Sequence, residues 1–263
     1  MTGPSLAGRI ALVTGSSRGI GRASAVALAM AGADVAVHYH KNRALAEQTA
    51  SEVEQSGRRA VLVQADLERP EDIERLFHSV GEAFGGLDIL VANAAATAFK
   101  PALEVKEHHL ERTYDLIVRG FVFSAQQAAL LMEGRPQSRI IAISGHGTEF
   151  TLPNYGLLGS AKAAVEVWTR YLAAELGPKG ITVNCLSPGV IATDSAAFYF
   201  GERYRTLQHA VAKATPLGRI GQPEDVAGAV LLLASELSGF VTGQVIRVDG
   251  GMTLTSGPFE EVR

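Results

Sequence analysis

Short apolar runs recur along the whole chain, and longer segments with a different spacing separate them. The runs are rich in β-branched residues and apolar at nearly every position, which is typical of strands buried on both faces of a sheet. They are Ile10 to Thr14, Asp34 to Tyr39, Arg59 to Gln64, Asp88 to Ala92, Arg139 to Ser144, Ile181 to Ser187 and Val245 to Val248. We therefore predict a parallel sheet that is covered by helices on both sides.

The segments between these runs carry apolar residues at spacings of three and four, which is the period of an amphipathic helix. They are Ile20 to Met30, Ala44 to Gln55, Glu71 to Phe84, Glu107 to Met132, Tyr155 to Leu176 and Pro223 to Ser235. Strand and helix thus alternate as a βαβ repeat, which predicts a doubly wound α/β fold. No linker or low-complexity segment divides the chain, so residues 1–263 are expected to form one domain.

Residues 193–215 interrupt this rhythm after the sixth strand. Phe198, Tyr199, Phe200 and Tyr204 give the segment an aromatic character. Insertions near the carboxyl edge of an open α/β sheet usually line the ligand crevice, so the segment is predicted to be a lid over a substrate site. The alternative is a surface loop with a short helix.

Composition and charge narrow the classes of partner and compartment. The chain has 24 Lys plus Arg against 27 Asp plus Glu, a net charge of -3, and therefore no general attraction to nucleic acid or anionic lipid. The single cysteine, Cys185, cannot form an internal disulfide, which fits a reducing cytoplasm. The sequence has neither a signal peptide at Met1 to Arg9 nor an apolar run long enough for a bilayer, so we expect a cytoplasmic protein without a membrane partner.

A glycine-rich turn follows the first predicted strand and leads directly into the first helix. It reads TGSSRGIG over Thr14 to Gly21. Glycine permits a positive φ and a close approach to the backbone, and a helix N-terminus presents unpaired N–H groups to an anion. Between a strand and a helix of a βαβ repeat, this turn predicts a pyrophosphate site; the alternative is an ordinary tight turn.

The end of the second strand bears on the choice of dinucleotide. A fold selective for NAD places a carboxylate there, against the adenosine 2′-hydroxyl. The sequence HYHKNR at residues 38–43 contains no carboxylate, and Arg18, Lys41 and Arg43 are available for a 2′-phosphate. NADPH is therefore the predicted cofactor, although Lys41 and Arg43 also fit a reading as solvated surface charges.

Two other polar groups near this point have more than one interpretation. Asp66, after the third strand, either faces the adenine or is a plain turn residue. His38 and His40 share one face of the second strand, but no third ligand is visible, so no metal site is predicted.

Four motifs together resemble the short-chain dehydrogenase/reductase family along essentially the whole chain. They are Thr14-Gly15-x3-Gly19-Ile20-Gly21, Asn93-Ala94-Ala95, Ser187-Pro188-Gly189 and Val248-Asp249-Gly250-Gly251. The resemblance implies a Rossmann-type, doubly wound sheet of seven parallel strands with helices on both faces, a bound nicotinamide cofactor and a homotetramer. The residues expected at the cofactor are Gly15, Ser17, Arg18, Gly19, Ile20, Tyr39, Lys41, Asp66, Leu67, Asn93, Lys162, Pro188, Gly189 and Ile191.

The family's usual catalytic signature is only partly present. It consists of a serine, a tyrosine thirteen residues later and a lysine four residues after that, together with a helical asparagine. When the signature is aligned on Lys162, the tyrosine position holds Leu158, the serine position Gly145 and the asparagine position Ile117. The sequence therefore does not predict an ordinary carbonyl reductase.

Tyr155 stands seven residues before Lys162, and seven residues make nearly two helical turns, so both side chains can reach one pocket. The spacing resembles that of the enoyl-acyl-carrier-protein reductases, above all the type III branch. The resemblance implies NADPH-dependent reduction of the carbon–carbon double bond of a trans-2-enoyl thioester, carried by acyl-carrier protein or coenzyme A. Tyr155 would hydrogen-bond the enolate oxygen. Lys162 would hold the nicotinamide ribose, and its charge would favour a lower pKa on a nearby phenol.

This reading places the protein in fatty acid biosynthesis or in a specialised acyl pathway. Two alternatives stay open. In one, the protein is a ketone or 3-ketoacyl reductase in which Tyr155 is the acid at a displaced position. In the other, it binds NADP without turnover and Tyr155 only packs beside the helix. Ser144 and His146 are left either as pocket residues or as structural ones.

Overall fold

Seven parallel strands form one sheet in the computed structural model, which describes residues 4–254. The spatial order is β3-β2-β1-β4-β5-β6-β7. The strands are β1 Ile10–Val13, β2 Asp34–Tyr39, β3 Ala60–Gln64, β4 Ile89–Ala92, β5 Ser138–Ile143, β6 Ile181–Pro188 and β7 Val245–Val248. All seven predicted strands are confirmed, with ends that shift by at most one residue. Residues 1–3 and 255–263 of the predicted domain lie outside the described residues.

Helices cover both faces of the sheet, as predicted. The α-helices in the described part of the chain are α1 Gly19–Met30, α2 Arg43–Gln55, α3 Pro70–Phe84, α4 Glu107–Tyr114, α5 Gly120–Leu131, α6 Gly156–Leu176, α7 Asp194–Phe200, α8 Tyr204–Ala214 and α9 Pro223–Ala234. Helices α1, α2 and α9 pack on one face, and α3, α5 and α6 pack on the other. None of the helices within residues 4–254 has the length and apolarity that a membrane span requires.

The two faces are built from alternating residues of the same strands. Leu12 of β1 packs in the core beneath α3, α5 and α6, whereas its neighbour Val13 packs in the core beneath α1, α2 and α9. Both side chains are fully buried. Successive side chains of a strand point to opposite faces, so a strand between two helical layers is apolar throughout, which explains the pattern in the sequence.

Successive strands are added outward on one side of β1 up to β3 and then on its other side from β4 onward, and this switch in strand order creates a crevice at the carboxyl ends of β1 and β4. Asn93 fixes this point. Its backbone N–H donates to the Thr14 hydroxyl at 2.9 Å, and its side-chain amide donates to the Thr14 carbonyl at 2.9 Å. Loops that follow neighbouring strands are thereby held together at the place where ligands bind in open α/β sheets.

The predicted helix ends shift by at most one residue, and two differences bear on the site. The segment expected as one helix, Glu107 to Met132, contains a π-turn at Asp115–Arg119 between α4 and α5. The turn keeps Ile117 in the core, and a Cβ on Gly120 would lie 3.2 Å from the Leu67 carbonyl oxygen, so α5 begins directly against the loop after β3. The other difference is that α6 begins at Gly156, with Tyr155 as its N-cap residue.

Candidate active site

The glycine-rich turn has the backbone geometry of an anion cradle. Gly15 and Gly19 have φ values of +64° and +56°, which favour glycine, and a Cβ on Gly21 would lie 2.3 Å from the Gly15 carbonyl oxygen. Arg18 is the N-cap of α1, its side chain makes no capping hydrogen bond, and the first turn holds no acidic residue. The first N–H groups of α1 therefore remain available, and these residues fit a pyrophosphate.

His38 holds this turn in place from β2. Its Nδ1 accepts a hydrogen bond from the Gly15 N–H at 2.9 Å, so Nε2 carries the proton and donates to the Ala65 carbonyl at 3.2 Å. Burial lowers the pKa of His38 to about 4, which keeps the ring neutral. His40 instead lies 3.8 Å from the Asp66 carboxylate. From the sequence, His38 was considered only in connection with a metal site, which was not predicted. Among residues 4–254, no group of three or more His, Cys, Asp or Glu side chains could hold a metal ion.

Most of the predicted cofactor residues line one open cleft of about 560 Å³ around the glycine-rich turn, which we call the outer cleft. They are Gly15, Ser17, Arg18, Gly19, Ile20, Tyr39, Lys41, Asp66, Leu67 and Asn93. Arg43 is not among its lining residues, and its guanidinium instead pairs with Glu47 at 2.8 Å. Of the three cations considered for a 2′-phosphate, Arg18 and Lys41 therefore line the outer cleft and Arg43 does not.

A smaller cavity of about 210 Å³ adjoins the outer cleft, and we call it the tyrosine cavity. Its lining includes the remaining predicted cofactor residues, Lys162, Pro188, Gly189 and Ile191. Tyr155 and Leu158 line the same cavity. Ile20 and Asn93 line both spaces, so the cavity and the cleft are continuous.

Two glycines leave the space in which the Tyr155 ring lies. A Cβ on Gly147 would lie 2.4 Å from Cε1 of Tyr155, so even alanine would overlap the ring. A Cβ on Gly159 would lie 2.8 Å from the Gly147 carbonyl oxygen. Loop, ring and helix α6 therefore touch at a point where neither glycine position has room for a side chain.

The Tyr155 hydroxyl faces the backbone of Gly145. A Cβ at position 145 would meet this hydroxyl at 3.8 Å and no other atom within 4 Å. Burial, and to a smaller extent Tyr199, raises the pKa of Tyr155 to about 12, which is opposite to the lowering expected from Lys162. Desolvation of the phenolate favours the protonated form, so the hydroxyl is a proton donor over the neutral range.

Lys162 is buried and belongs to the lining of the tyrosine cavity. Its ammonium donates to the carbonyl of Ile143, the last residue of β5. Burial lowers the pKa of Lys162 to about 8, while Cys185 and Glu166 act in the opposite direction. The charge is therefore held by a strand carbonyl, beside the continuous cavity and cleft.

A hydrogen-bonded carboxylate next to this lysine was not anticipated from the sequence. Glu166 lies one helical turn after Lys162, and its Oε1 accepts from the Ser144 hydroxyl at 2.6 Å and from the Thr148 hydroxyl at 3.0 Å. Ser144 also lines the tyrosine cavity. The four-residue spacing of Lys162 and Glu166 was visible in the sequence, but their partners come from distant segments.

His146, which also lines the tyrosine cavity, bridges to the loop after β6. Its Nδ1 lies 3.3 Å from the Pro188 carbonyl, and burial lowers its pKa.

Aromatic rings from three segments close one side of the tyrosine cavity. Tyr199 of α7 lies with its ring centroid 5.4 Å from that of Tyr155 and 4.3 Å from that of Phe99. The Tyr199 hydroxyl donates to the Pro153 carbonyl at 2.6 Å, and Phe200 stacks edge-on against Tyr199. Helix α7, from the segment 193–215, is thus seated on the candidate catalytic tyrosine.

Comparison with known families identifies the family of the chain. The family model described as "Enoyl-(Acyl carrier protein) reductase" matches residues 15–253, from the glycine-rich turn almost to the end of the described residues. The chain belongs to the short-chain dehydrogenase/reductase family. Its fold implies a nicotinamide dinucleotide cofactor, for which the glycine-rich turn supplies the fitting cradle.

Curated relatives of this short-chain dehydrogenase/reductase include more than one kind of reductase. It is 41% identical to "1-cyclohexenylcarbonyl-CoA reductase" of Streptomyces collinus, over 95% of this chain and 89% of the relative. It is 38% identical to "Hydroxynaphthalene reductase-like protein Arp2" of Metarhizium guizhouense, over 94% of this chain and 96% of the relative. The protein is thus similar to reductases of this family with different named substrates.

Solved structures of short-chain dehydrogenase/reductases superpose closely on the chain. A putative short-chain alcohol dehydrogenase from Sinorhizobium meliloti 1021 has a TM-score of 0.90 at 32% identity, covering 96% of this chain and 99% of its own. The reductase LugOII, described as catalysing keto-reduction at C1 during lugdunomycin biosynthesis, has a TM-score of 0.85 at 38% identity, covering 94% and 98%. The Rossmann-type fold predicted from the sequence is therefore confirmed.

Proposed function

We propose that this protein is an NADPH-dependent reductase of the carbon–carbon double bond of a trans-2-enoyl thioester, carried by acyl-carrier protein or coenzyme A. The observation that carries the proposal is the shared lining of one cavity by Tyr155 and Lys162, while Gly145 and Leu158 occupy the usual serine and tyrosine positions. The description of the matching family and the name of the Streptomyces collinus relative support it.

Tyr155 is the residue that we assign to the developing negative charge. When bound, NADPH would supply the hydride for the β-carbon, and a solvent proton would complete the reduction at the α-carbon. While the charge develops on the thioester oxygen, the Tyr155 hydroxyl donates a hydrogen bond to it. A phenol with a pKa of about 12 stays protonated at neutral pH, as this role requires.

Lys162 is assigned to the nicotinamide ribose. Its ammonium is anchored by the Ile143 carbonyl, and its remaining protons are available for ribose hydroxyls. With a pKa of about 8 it is protonated at neutral pH, so its charge also stabilises the anion that forms beside Tyr155.

Arg18 and Lys41 support NADPH rather than NADH. Both line the outer cleft, and the last residue of β2, Tyr39, is followed by His40 and Lys41 rather than by a carboxylate. Arginine and lysine are the side chains that bind phosphate most strongly, so they are assigned to the adenosine 2′-phosphate.

The acyl group is assigned to the apolar side of the tyrosine cavity. Phe99, Leu152, Leu158, Tyr199 and Phe200 line that side. We assign the segment 193–215 as a lid, because α7 contributes two of these aromatic side chains and contacts the Tyr155 ring. Binding of the acyl chain would then depend on movement of α7.

Self-association, expected as a homotetramer, is part of the same proposal. Leu130 of α5 and Trp168 and Tyr171 of α6 are exposed apolar side chains, and Tyr171 is 62% exposed. Exposed apolar side chains on neighbouring helices favour burial against a second copy of the chain.

Turnover of a short trans-2-enoyl thioester tests the proposal. Purified protein, NADPH and substrate are mixed, the loss of reduced nicotinamide is followed, and the product is identified by mass. We expect the saturated thioester from the wild type and a loss of rate of about a hundredfold or more in Tyr155→Phe, because an oxyanion donor is removed.

The same assay with an acetoacetyl thioester covers the second candidate function. Keto-reduction is favoured by the similarity to LugOII, which is described as catalysing keto-reduction at C1. Consumption of NADPH by the ketone while the enoyl thioester stays untouched would overturn the proposal. Tight NADPH binding without any turnover would indicate a cofactor-binding protein instead.

A further inference from the structure

The Ser144 hydroxyl lies in the lining of the tyrosine cavity but directs its proton away from it. Its Oγ donates to Oε1 of Glu166 at 2.6 Å. A hydroxyl has one proton and two lone pairs, and an ionised carboxylate only accepts. As long as the Ser144 hydroxyl donates its proton to Glu166, Ser144 therefore offers only lone pairs to a molecule in the cavity.

The position of Glu166 on helix α6 fixes this orientation of the Ser144 hydroxyl. Lys162 and Glu166 lie one turn apart on α6 and hold two consecutive residues at the end of β5: Lys162 donates to the Ile143 carbonyl, and Glu166 accepts from Ser144. Thr148 donates to the same Glu166 oxygen at 3.0 Å, which adds a second hydrogen bond that holds the carboxylate. Thr148 does not line the tyrosine cavity.

Tyr155 is in the opposite situation. Within residues 4–254 its hydroxyl forms no hydrogen bond, and only the open space at Gly145 separates it from the backbone beside Ser144. Of these two neighbouring hydroxyls, Tyr155 alone has a proton available for a substrate oxygen.

We infer that Glu166 is a positioning residue that determines which bond is reduced, by holding the Ser144 proton so that the substrate oxygen has one hydroxyl donor instead of two. The inference rests on the proposed function. In double-bond reduction the hydride goes to the β-carbon, and the negative charge is spread over the enolate. In ketone reduction the hydride goes to the carbonyl carbon, and the oxygen gains the full charge and then a proton. A second donor therefore favours ketone reduction more strongly.

Glu166→Leu tests the inference, because leucine removes the acceptor. We expect the ratio of kcat/KM for an acetoacetyl thioester to kcat/KM for a short trans-2-enoyl thioester to rise about tenfold or more, since one oxyanion donor is typically worth at least that factor. Glu166→Gln keeps an amide oxygen that accepts from Ser144, so its ratio stays within about threefold of the wild type. Glu166→Ala serves the same purpose as Glu166→Leu if the leucine variant does not fold.

Two further variants separate this effect from general loosening of the loop. Adding Ser144→Ala to Glu166→Leu removes the released hydroxyl and returns the ratio to the wild-type value. Thr148→Val removes the other hydroxyl on Glu166 but leaves Ser144 held, so the ratio does not change. A purely structural role for Glu166 lowers both activities in parallel and is not reversed by Ser144→Ala.

The outcomes distinguish this inference from the proposed function. A wild type that reduces the enoyl thioester, combined with an unchanged ratio in Glu166→Leu or a raised ratio that survives Ser144→Ala, overturns only the inference. A wild type that reduces only the ketone overturns the proposed function. The ketone kcat/KM of Glu166→Leu, with and without Ser144→Ala, then still decides whether Glu166 withholds the Ser144 proton.

Discussion

Gly147→Ala tests whether the placement of the Tyr155 ring controls activity. The new Cβ would lie 2.4 Å from Cε1 and 2.7 Å from Cδ1 of Tyr155, where ordinary contacts are about 3.4–4 Å, so ring or loop must retreat by about 1 Å. A displacement of that size at a catalytic group costs on the order of a hundredfold in rate. We also expect a loss of about 1–3 kcal/mol in the free energy of unfolding, as for other overpacked sites.

The measurements are kcat/KM for the enoyl thioester with NADPH and the thermal unfolding midpoint. Gly156→Ala is the matched control, because it lies next to Tyr155 at the start of α6 and its Cβ would meet nothing within 4 Å. Alanine there should leave activity intact and raise the free energy of unfolding by about 0.4–1 kcal/mol. The reasoning fails if Gly147→Ala lowers activity as much in a Tyr155→Phe background as in the wild type, because the loss would then not act through the hydroxyl.

Three further predictions concern the cofactor, acid stability and the cysteine. Lys41→Ala or Arg18→Ala should weaken NADPH binding about tenfold in calorimetry and change NADH binding little. Arg43→Ala should change neither, because the Arg43 guanidinium pairs with Glu47. Equal weakening for both dinucleotides would contradict the assignment. The pKa of His38 falls from 6.5 to about 4 on folding, so the unfolded chain binds more protons between these pH values. A contribution of about 3 kcal/mol to the free energy of unfolding, present above pH 6.5, is therefore lost as the pH falls to 4. In His38→Asn, the free energy of unfolding measured with urea should vary less across this pH range. Burial raises the pKa of Cys185 to about 12, so iodoacetamide at pH 8 should label unfolded but not native protein, as mass spectrometry would show.

The features that the sequence predicted well are those whose cause is local. The strands of the sheet are apolar runs of the right length, and the glycine-rich turn is marked by Gly15, Gly19 and Gly21, whose conformation or close contacts require glycine. Tyr155 and Lys162 could be paired before the structure because a helical period relates them. Both do line one cavity.

The features that escaped prediction depend on contacts between distant segments. His38 acquires its role from the N–H of Gly15 and the carbonyl of Ala65, and nothing in its own neighbourhood indicates either partner. Glu166 resembles any helix-surface carboxylate until β5 brings Ser144 within 2.6 Å. The π-turn was not predicted for a related reason. Packing fixes Gly120 against the Leu67 carbonyl, and the turn leaves the apolar periodicity of the segment almost unchanged.

The shared cavity lining of Tyr155, Leu158 and Lys162 has a consequence for how this fold diversifies. Position 155 caps α6 and position 158 lies within its first turn, so a phenol at either place reaches the same chamber while the lysine and its strand carbonyl stay fixed. An exchange of tyrosine and leucine between the two positions therefore relocates the proton donor without rebuilding the cofactor site. Descendants of one ancestral scaffold can in this way acquire different chemistry through few substitutions, provided that Gly147 and Gly159, which leave space for the Tyr155 ring, change when the tyrosine moves.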